Sequence, residues 1–115
     1  LMNNDFSFAS FVNFVKNIER NHTEHTNHHW RSQVGRLAID GPFAIDYNFI
    51  GRLESIEDDF SHIANRLSLK YKTLSNINHI EDYTYQEFYT NSKLIDDVAE
   101  YYVRDINILK YEFGK

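Results

Sequence analysis

The stretch 47–60, YNFIGRLESIEDDF, decides more of the fold than any other part of this chain. Its first half, 47–53, alternates Tyr, Phe and Leu with other side chains, which predicts a short strand. Glu54 would follow that strand directly, at the position where open α/β sheets bind their ligands. There Glu54 could orient a basic side chain, and Arg52 could present its guanidinium to a phosphate or sulfate. The alternative is that Glu54 only satisfies backbone donors at the start of the next helix.

The second half of the stretch predicts a helix that begins after Ser55 and runs to about Leu67. Asp58 stands three residues after Ser55, which completes a capping box, and the acidic residues there favour the positive end of a helix. The buried stripe of this helix would consist of Ile56, Phe60, Ile63, Ala64 and Leu67.

Two further helices flank this unit. The first is predicted from about Phe8 to Arg20, with Ser7 as its N-cap and Phe6 packed on Phe11 as a hydrophobic staple. The last would start at Thr90 or Asn91 and carry one apolar stripe, made of Ile95, Val98, Tyr102, Ile106 and Leu109. The pattern therefore predicts one domain over 1–115, mainly helical with one or two short strands.

Composition excludes several classes of protein. The 115 residues suffice for one domain, and the net charge of −5 argues against a nucleic-acid or anionic-membrane surface. No apolar stretch approaches the roughly 18 residues of a membrane span. Cysteine is absent, so disulfides, thiolate metal sites and cysteine nucleophiles are excluded. These features favour a cytoplasmic protein.

The long connection 21–42 is rich in histidine and has no clear period. His25 and His29 are four residues apart, a spacing that can chelate zinc on a helical face, and Glu24 could add a carboxylate. No third ligand stands at a fixed distance, so a solvated loop is the preferred interpretation. Long ordered loops are often functional, which makes this segment a candidate site.

Asp105 lies on the apolar face of the last helix beside Tyr101 and Tyr102. A buried carboxylate needs a partner, so Asp105 is expected to join an ion pair or hydrogen bond. The aromatic residues over 83–89 and 101–111 are expected to serve packing.

Several segments together resemble the carbohydrate-modifying sulfotransferases that use 3′-phosphoadenosine 5′-phosphosulfate (PAPS). In order along the chain they are Ser7-Phe8 with Phe11-Val12, 27–33 NHHWRSQ, 47–54 YNFIGRLE, 58–60 DDF, and 102–106 YVRDI with Tyr111. The chain is thus similar to the C-terminal portion of that family. It departs from the pattern at Ser32, where the family often has Pro, at Asn48, where it often has Asp, and in lacking loop cysteines.

The resemblance implies an α/β fold, the C-terminal part of a P-loop-like sulfotransferase, and transfer of a sulfo group to a hydroxyl, with a carbohydrate as the expected acceptor. It implies that the 27–33 loop overhangs the active-site cleft and that four of its residues contact the acceptor: His29, Trp30, Arg31 and Gln33. His29 is also the candidate catalytic base. The donor's adenine would lie near Arg52, Leu53 and Glu54. PAPS would be a donor substrate, and no metal is implied.

The family's phosphate-binding motifs do not occur in this sequence. These are a basic Gly/Ser/Thr loop after the first strand and an Arg-Asp-Pro-x-x-Arg-x-x-Ser segment. Because PAPS carries several negative charges, its binding needs such backbone donors and paired cations. The expectation is therefore that these motifs lie upstream, in a missing N-terminal sulfotransferase portion, and that the isolated chain is inactive.

Two other functions remain open. The chain could be a non-catalytic helical interaction module that binds a partner through aromatic surface. Less favoured is a small metal-binding protein that uses the histidine loop.

Overall fold

The structure, a computed structural model, describes residues 7–18, 27–70, 73–75 and 84–114. Five α-helices lie in this part of the chain: α1 Phe8–Ile18, α2 Gln33–Leu37, α3 Ile56–Arg66, α4 Ser92–Tyr101 and α5 Val103–Leu109. Two 3₁₀ turns occupy Leu53–Ser55 and Tyr85–Phe88. The helices fall into two compact units, Leu1–Ile45 with Tyr83–Lys115, and Asp46–Asp82.

The core of the first unit lies where α1 meets α4 and where α2 meets α5. Val12 and Val15 of α1 are buried, as is Leu94 of α4. Lys16 ties the two helices together, since its Nζ lies 2.6 Å from Asp97 and 2.6 Å from Glu100. Apolar burial thus positions the helices, and an ion-pair network at the edge fixes their register.

Both predicted helix starts in this unit are confirmed. Ser7 Oγ accepts a hydrogen bond from the backbone N–H of Ser10 at 3.2 Å, and Asn91 Oδ1 accepts one from Leu94 at 3.1 Å. The staple residue Phe6 and the predicted helix end Arg20 lie outside the described residues.

The prediction of a single last helix is wrong, because the chain bends at Tyr102 between α4 and α5. Tyr102 has φ −103° and ψ 22°, outside the helical range. Backbone bonds from Tyr102 to Val98 and from Ile106 to Tyr102 still bridge the bend, so the two helices stay linked.

The second unit contains α3 and the segment before it. The prediction of a strand over 47–53 is wrong for the described residues, in which the structure has no strand. A strand needs a neighbour to pair its backbone groups, and no described segment supplies one. Arg52 has extended dihedrals, φ −112° and ψ 146°. For the residues that the structure describes, the prediction of one or two short strands therefore fails, whereas the mainly helical character is confirmed.

The prediction of a capping box between Ser55 and Asp58 at the start of α3 is also wrong. Ser55 makes no capping bond with its side chain. Instead Ser55 Oγ donates to Asp59 Oδ2 at 2.8 Å, and the same oxygen accepts the backbone N–H of Arg52 at 2.7 Å. The 3₁₀ turn before α3 places Asp59, rather than Asp58, within hydrogen-bond distance of Arg52 and Ser55. These bonds lower the pKa of Asp59 below its ordinary range.

Candidate functional site

Asp105 holds the loop that contains the predicted acceptor residues. Its carboxylate is 5% exposed and accepts three hydrogen bonds. The donors are Ser32 Oγ at 2.5 Å, Gln33 N–H at 2.8 Å and Val34 N–H at 3.0 Å. Asp105 therefore accepts hydrogen bonds from the first two backbone amides of α2, which have no partner within the helix. Its predicted hydrogen-bonding role is confirmed.

Ser32 completes this joint from the other side. It is 3% exposed, and its Oγ also accepts the backbone N–H of Gly35 at 3.2 Å. Ser32 is thus both the N-cap of α2 and the donor to Asp105. The residue that departs from the family's pattern consequently has a structural role of its own.

Tyr102 makes a second attachment to the same loop. Tyr102 lies at the bend between α4 and α5, and its hydroxyl donates to the carbonyl oxygen of Trp30 at 2.6 Å. Burial raises the pKa of Tyr102 well above its ordinary value of 10.0, and nearby Tyr101 and Asp105 add to the effect. The hydroxyl therefore stays protonated and remains a donor throughout the neutral range.

Trp30 is half-buried and packs edge-on against Phe11 of α1, with ring centroids 5.4 Å apart. Its indole Nε1 is buried and has no hydrogen-bond partner among the described residues. The ring therefore anchors the loop to α1. Only the accessible part of the ring is available to a ligand.

His29 stands exposed on the turn just before Trp30. Asn27 Oδ1 lies 3.0 Å from both the backbone nitrogen and the ring Nδ1 of His29. The ring of His28 lies beside it, with centroids 4.3 Å apart and planes 32° from parallel. The imidazole therefore has an orientation set by local contacts although it is open to solvent.

Two arginines make this loop basic in an otherwise acidic chain. Arg36 donates from Nη1 to the carbonyl of His28 at 2.8 Å. Arg31 is half-buried and pairs with no carboxylate of the described residues. A third, Arg104 of α5, is paired bidentately with Asp40, to which its Nε and Nη2 donate. Arg31 and Arg36 thus both keep charge that a ligand could use, and Arg31 is the one within the segment 27–33.

Gln33 is the first residue of α2, and its backbone N–H is used by Asp105 while its side chain is exposed. The predicted acceptor residues His29, Trp30, Arg31 and Gln33 are therefore adjacent on one anchored segment. The amides of Gln33 and Val34 are already satisfied, so this helix start has no free donors for a phosphate.

The predicted donor residues lie in the second unit. Arg52 precedes the 3₁₀ turn, and Leu53 and Glu54 lie within it, with Leu53 77% exposed. All three side chains are open to solvent. Gly51 comes close to Asp59, since a Cβ at Gly51 would lie 3.3 Å from the Cβ of Asp59. The segment is thus held by its backbone through Asp59 and leaves these side chains accessible.

A cleft of about 170 Å³ lies between α1 and α4. Its lining is mostly aromatic and aliphatic, with Phe8, Phe11, Val12, Val15, Val98 and Tyr101 among the residues that form it. Two charged side chains of the lining, those of Lys16 and Asp97, pair with each other. The cleft therefore offers packing surface rather than reactive groups.

The zinc alternative depends on residues that the structure does not describe, since Glu24 and His25 lie outside the described ranges. Within those ranges no group of three potential ligand residues is close enough to hold a metal ion. Nor does any helix described here have the length and apolar character of a membrane span.

Sequence reasoning missed Asn27, Ser32 and Tyr102 as parts of the site. The pair Asn27 and His29 carried a local signal, because an Asn two residues before another residue commonly accepts its backbone N–H. The partners of Ser32 and Tyr102 lie far along the chain, and no local pattern indicates them.

No solved structure matches this chain. Residues 2–112 match the model of a protein family described as the sulfotransferase family.

Proposed function

The chain belongs to the sulfotransferase family, and from this premise we propose that it serves the transfer of a sulfo group from PAPS to a carbohydrate hydroxyl. In this proposal the anchored loop 27–33 contacts the acceptor. Arg52, Leu53 and Glu54 contact the adenine side of the donor.

The observation that carries the acceptor assignment is the way the loop is attached. Two residues of the last helices, Tyr102 and Asp105, bind the loop at Trp30 and at the start of α2. Binding a sugar requires polar groups held in place beside an apolar face. The loop provides this combination, with the accessible part of Trp30 next to Arg31 and Gln33.

The chemistry requires few protein groups. The acceptor oxygen attacks sulfur in line with the departing phosphate oxygen, so one S–O bond forms as the other breaks, as in phosphoryl transfer. The acceptor hydroxyl loses its proton, and we assign His29 as the base that takes it. Arg31 would stabilise negative charge on the transferring group. The leaving group is adenosine 3′,5′-bisphosphate (PAP).

The donor side is held more weakly by these residues. Arg52 contributes one cation, whereas the bisphosphate needs several donors and cations together. Calorimetry of this chain with PAP is therefore expected to show no appreciable heat. Micromolar affinity would mean that these 115 residues already contain the cations and backbone donors needed to bind the phosphates of PAP.

Fluorescence tests the acceptor assignment directly, because Trp30 is the only tryptophan. Titration of a neutral and of a carboxylate-bearing oligosaccharide should shift Trp30 emission saturably, and Arg31→Ala should weaken binding. Lys93→Ala is the matched control, since Lys93 is an exposed cation paired within α4. An unchanged emission, or equal effects of both variants, would contradict the assignment. Zinc is the third titrant, and stoichiometric quenching by it would favour the metal-binding alternative.

Transfer activity provides the second test. Where PAPS-dependent transfer is measured, Trp30→Ala should raise the KM for the acceptor more than that for PAPS. The reverse result would place Trp30 against the nucleotide.

One observation favours a second function, a non-catalytic interaction module. Several large apolar side chains are well exposed, including Phe43 at 89% and Leu53 at 77%. Exposed apolar surface of this kind often marks a protein interface. Saturable binding of oligosaccharide by the loop distinguishes the two functions, because an interaction module has no need of it.

A further inference from the structure

Asn27 Oδ1 contacts two nitrogens of the same histidine. One contact is the backbone nitrogen of His29, which can only donate, at 3.0 Å. The Asn27 atom opposite must therefore be its carbonyl oxygen rather than its amide nitrogen. The other contact of that oxygen is the ring Nδ1 of His29, also at 3.0 Å.

An oxygen that only accepts requires a hydrogen on the nitrogen facing it. The neutral ring of His29 must then carry its proton on Nδ1, which leaves the lone pair on Nε2. We infer that Asn27 is a positioning residue that fixes His29 in the Nδ1–H tautomer, with Nε2 as its only proton acceptor.

The backbone around Asn27 supports this geometry. The Asn27 carbonyl accepts the N–H of Trp30 at 3.3 Å, which closes the turn that carries His29. Trp30 is itself fixed by the hydroxyl of Tyr102 at 2.6 Å. The imidazole is thus exposed, but it is attached to backbone that is anchored one residue further along.

The neighbours of the ring leave Nε2 available. The ring of His28 stacks on its face rather than at its edge, and Arg36 contacts the backbone of His28. Among the described residues no carboxylate contacts either ring nitrogen of His29. Asn27 therefore sets the tautomer without adding charge.

The catalytic part of this inference rests on the proposed function. As the acceptor hydroxyl attacks sulfur, its proton would pass to Nε2 and produce an imidazolium. The Nδ1–H bond to Asn27 survives that step, and the amide dipole stabilises the new charge. A histidine held by an oxygen acceptor on its other nitrogen is a recurrent arrangement for proton transfer.

Long-range ¹H–¹⁵N correlation on the labelled chain, at a pH where His29 is neutral, tests the tautomer without any substrate. His29→Gln identifies the signals. We expect a pyrrole-type Nδ1 and a pyridine-type Nε2 in the unaltered chain. Asn27→Ala should remove this pattern and give averaged signals, whereas Asn27→Asp should retain it. Asn17→Ala, which alters an exposed amide of α1, should change nothing. An Nε2–H tautomer in the unaltered chain, or no change in Asn27→Ala, would overturn the inference.

Transfer kinetics separate this inference from the proposed function. Where PAPS-dependent transfer is measured, Asn27→Ala should lower kcat by about 10- to 100-fold with little change in the acceptor KM, and Asn27→Asp should restore most of it. If the tautomer is as stated but His29→Gln retains full activity, the assignment of the base fails and the role of Asn27 in setting the tautomer stands.

Discussion

Asp105 joins two segments that lie 72 residues apart in sequence, with one carboxylate serving three donors. At this buried site, Asp105→Ala would remove the carboxylate that accepts from the Ser32 hydroxyl and from two amides. We expect a loss of about 3 kcal/mol in the free energy of unfolding. Urea unfolding followed by Trp30 fluorescence measures it, since Trp30 lies in the same loop. Asp96→Ala, at an exposed position of α4, is the matched control. Equal midpoints for the two variants would show that the joint contributes nothing.

Tyr102 makes the same attachment sensitive to alkali. Its folded-state pKa is raised by burial, so between its ordinary value of 10.0 and the folded pKa the unfolded chain binds fewer protons than the folded one. The stability from Tyr102 is therefore fully present below pH 10 and falls as the pH rises through the folded pKa. Thermal unfolding from pH 8 to 11 should show this decline.

Tyr102→Phe should be less stable at neutral pH, because the bond to the Trp30 carbonyl is lost, yet its stability should fall less steeply above pH 10. Part of the slope should persist, since burial also raises the pKa of Tyr89. Tyr85→Phe, at an exposed tyrosine of the same unit, is the control and should keep nearly all of the slope, because Tyr85 affects it only by adding to the raised pKa of Tyr89. A slope unchanged in Tyr102→Phe would contradict the assignment.

At the scale of the element, α3 depends on Asp59 rather than Asp58 for its start. Asp59→Ala should free the backbone N–H of Arg52, so its amide hydrogen exchange should rise roughly 2- to 10-fold, as expected for one net hydrogen bond. Asp58→Ala provides a control of the same residue type one position away, and it should leave that amide protected. Since the pKa of Asp59 is lowered in the folded state, the protection is present above its ordinary pKa of 3.8 and is lost as the pH falls through the folded value. Faster exchange of the Arg52 amide in Asp58→Ala than in Asp59→Ala would instead support the capping box with Asp58.

Local patterns sufficed to predict α1, the span of α3 and the start of α4, because each segment contains its own apolar spacing. In α3 the details are wrong, since Ser55 makes no capping bond and, of the predicted stripe, Ala64 is buried whereas Ile56 and Leu67 are exposed. They failed at 47–53, since a strand depends on a neighbour that the segment itself does not specify. They also failed at Tyr102, where one apolar stripe continues through a bend. The stripe records which face is buried, but it carries no information about the backbone angle.

The candidate site was predictable in part for the same reason. Its contact residues 29–33 stand together in sequence, so a motif shows them. The side chains that hold them come from α5 and from the bend before it. Of these, the sequence pattern indicated only Asp105, because a carboxylate on an apolar helix face needs a hydrogen-bond partner. The resemblance to a family drew attention to the 27–33 and 102–106 segments, but it did not indicate that they contact each other.

For the whole molecule, the consequential feature is the exposed apolar surface that each compact unit carries. In the second unit Leu53 and Leu67 are 77% and 63% exposed, and in the first Phe43 is 89% exposed. Apolar area removed from water contributes about 25 cal/mol per Å², so such residues favour association whenever a partner surface is available.

Sedimentation velocity over a range of concentrations should therefore show reversible self-association of the chain. Phe43→Ser and Leu53→Ser should each shift it toward the monomer while changing the free energy of unfolding by no more than about 0.5 kcal/mol, because the native side chains bury little. Val34→Ala is the opposite case: Val34 is 0% exposed, so its truncation should destabilise the fold by about 2 kcal/mol and leave association by the other surfaces intact. A chain that stays monomeric at every concentration would mean that its exposed apolar side chains are too dispersed to form an interface.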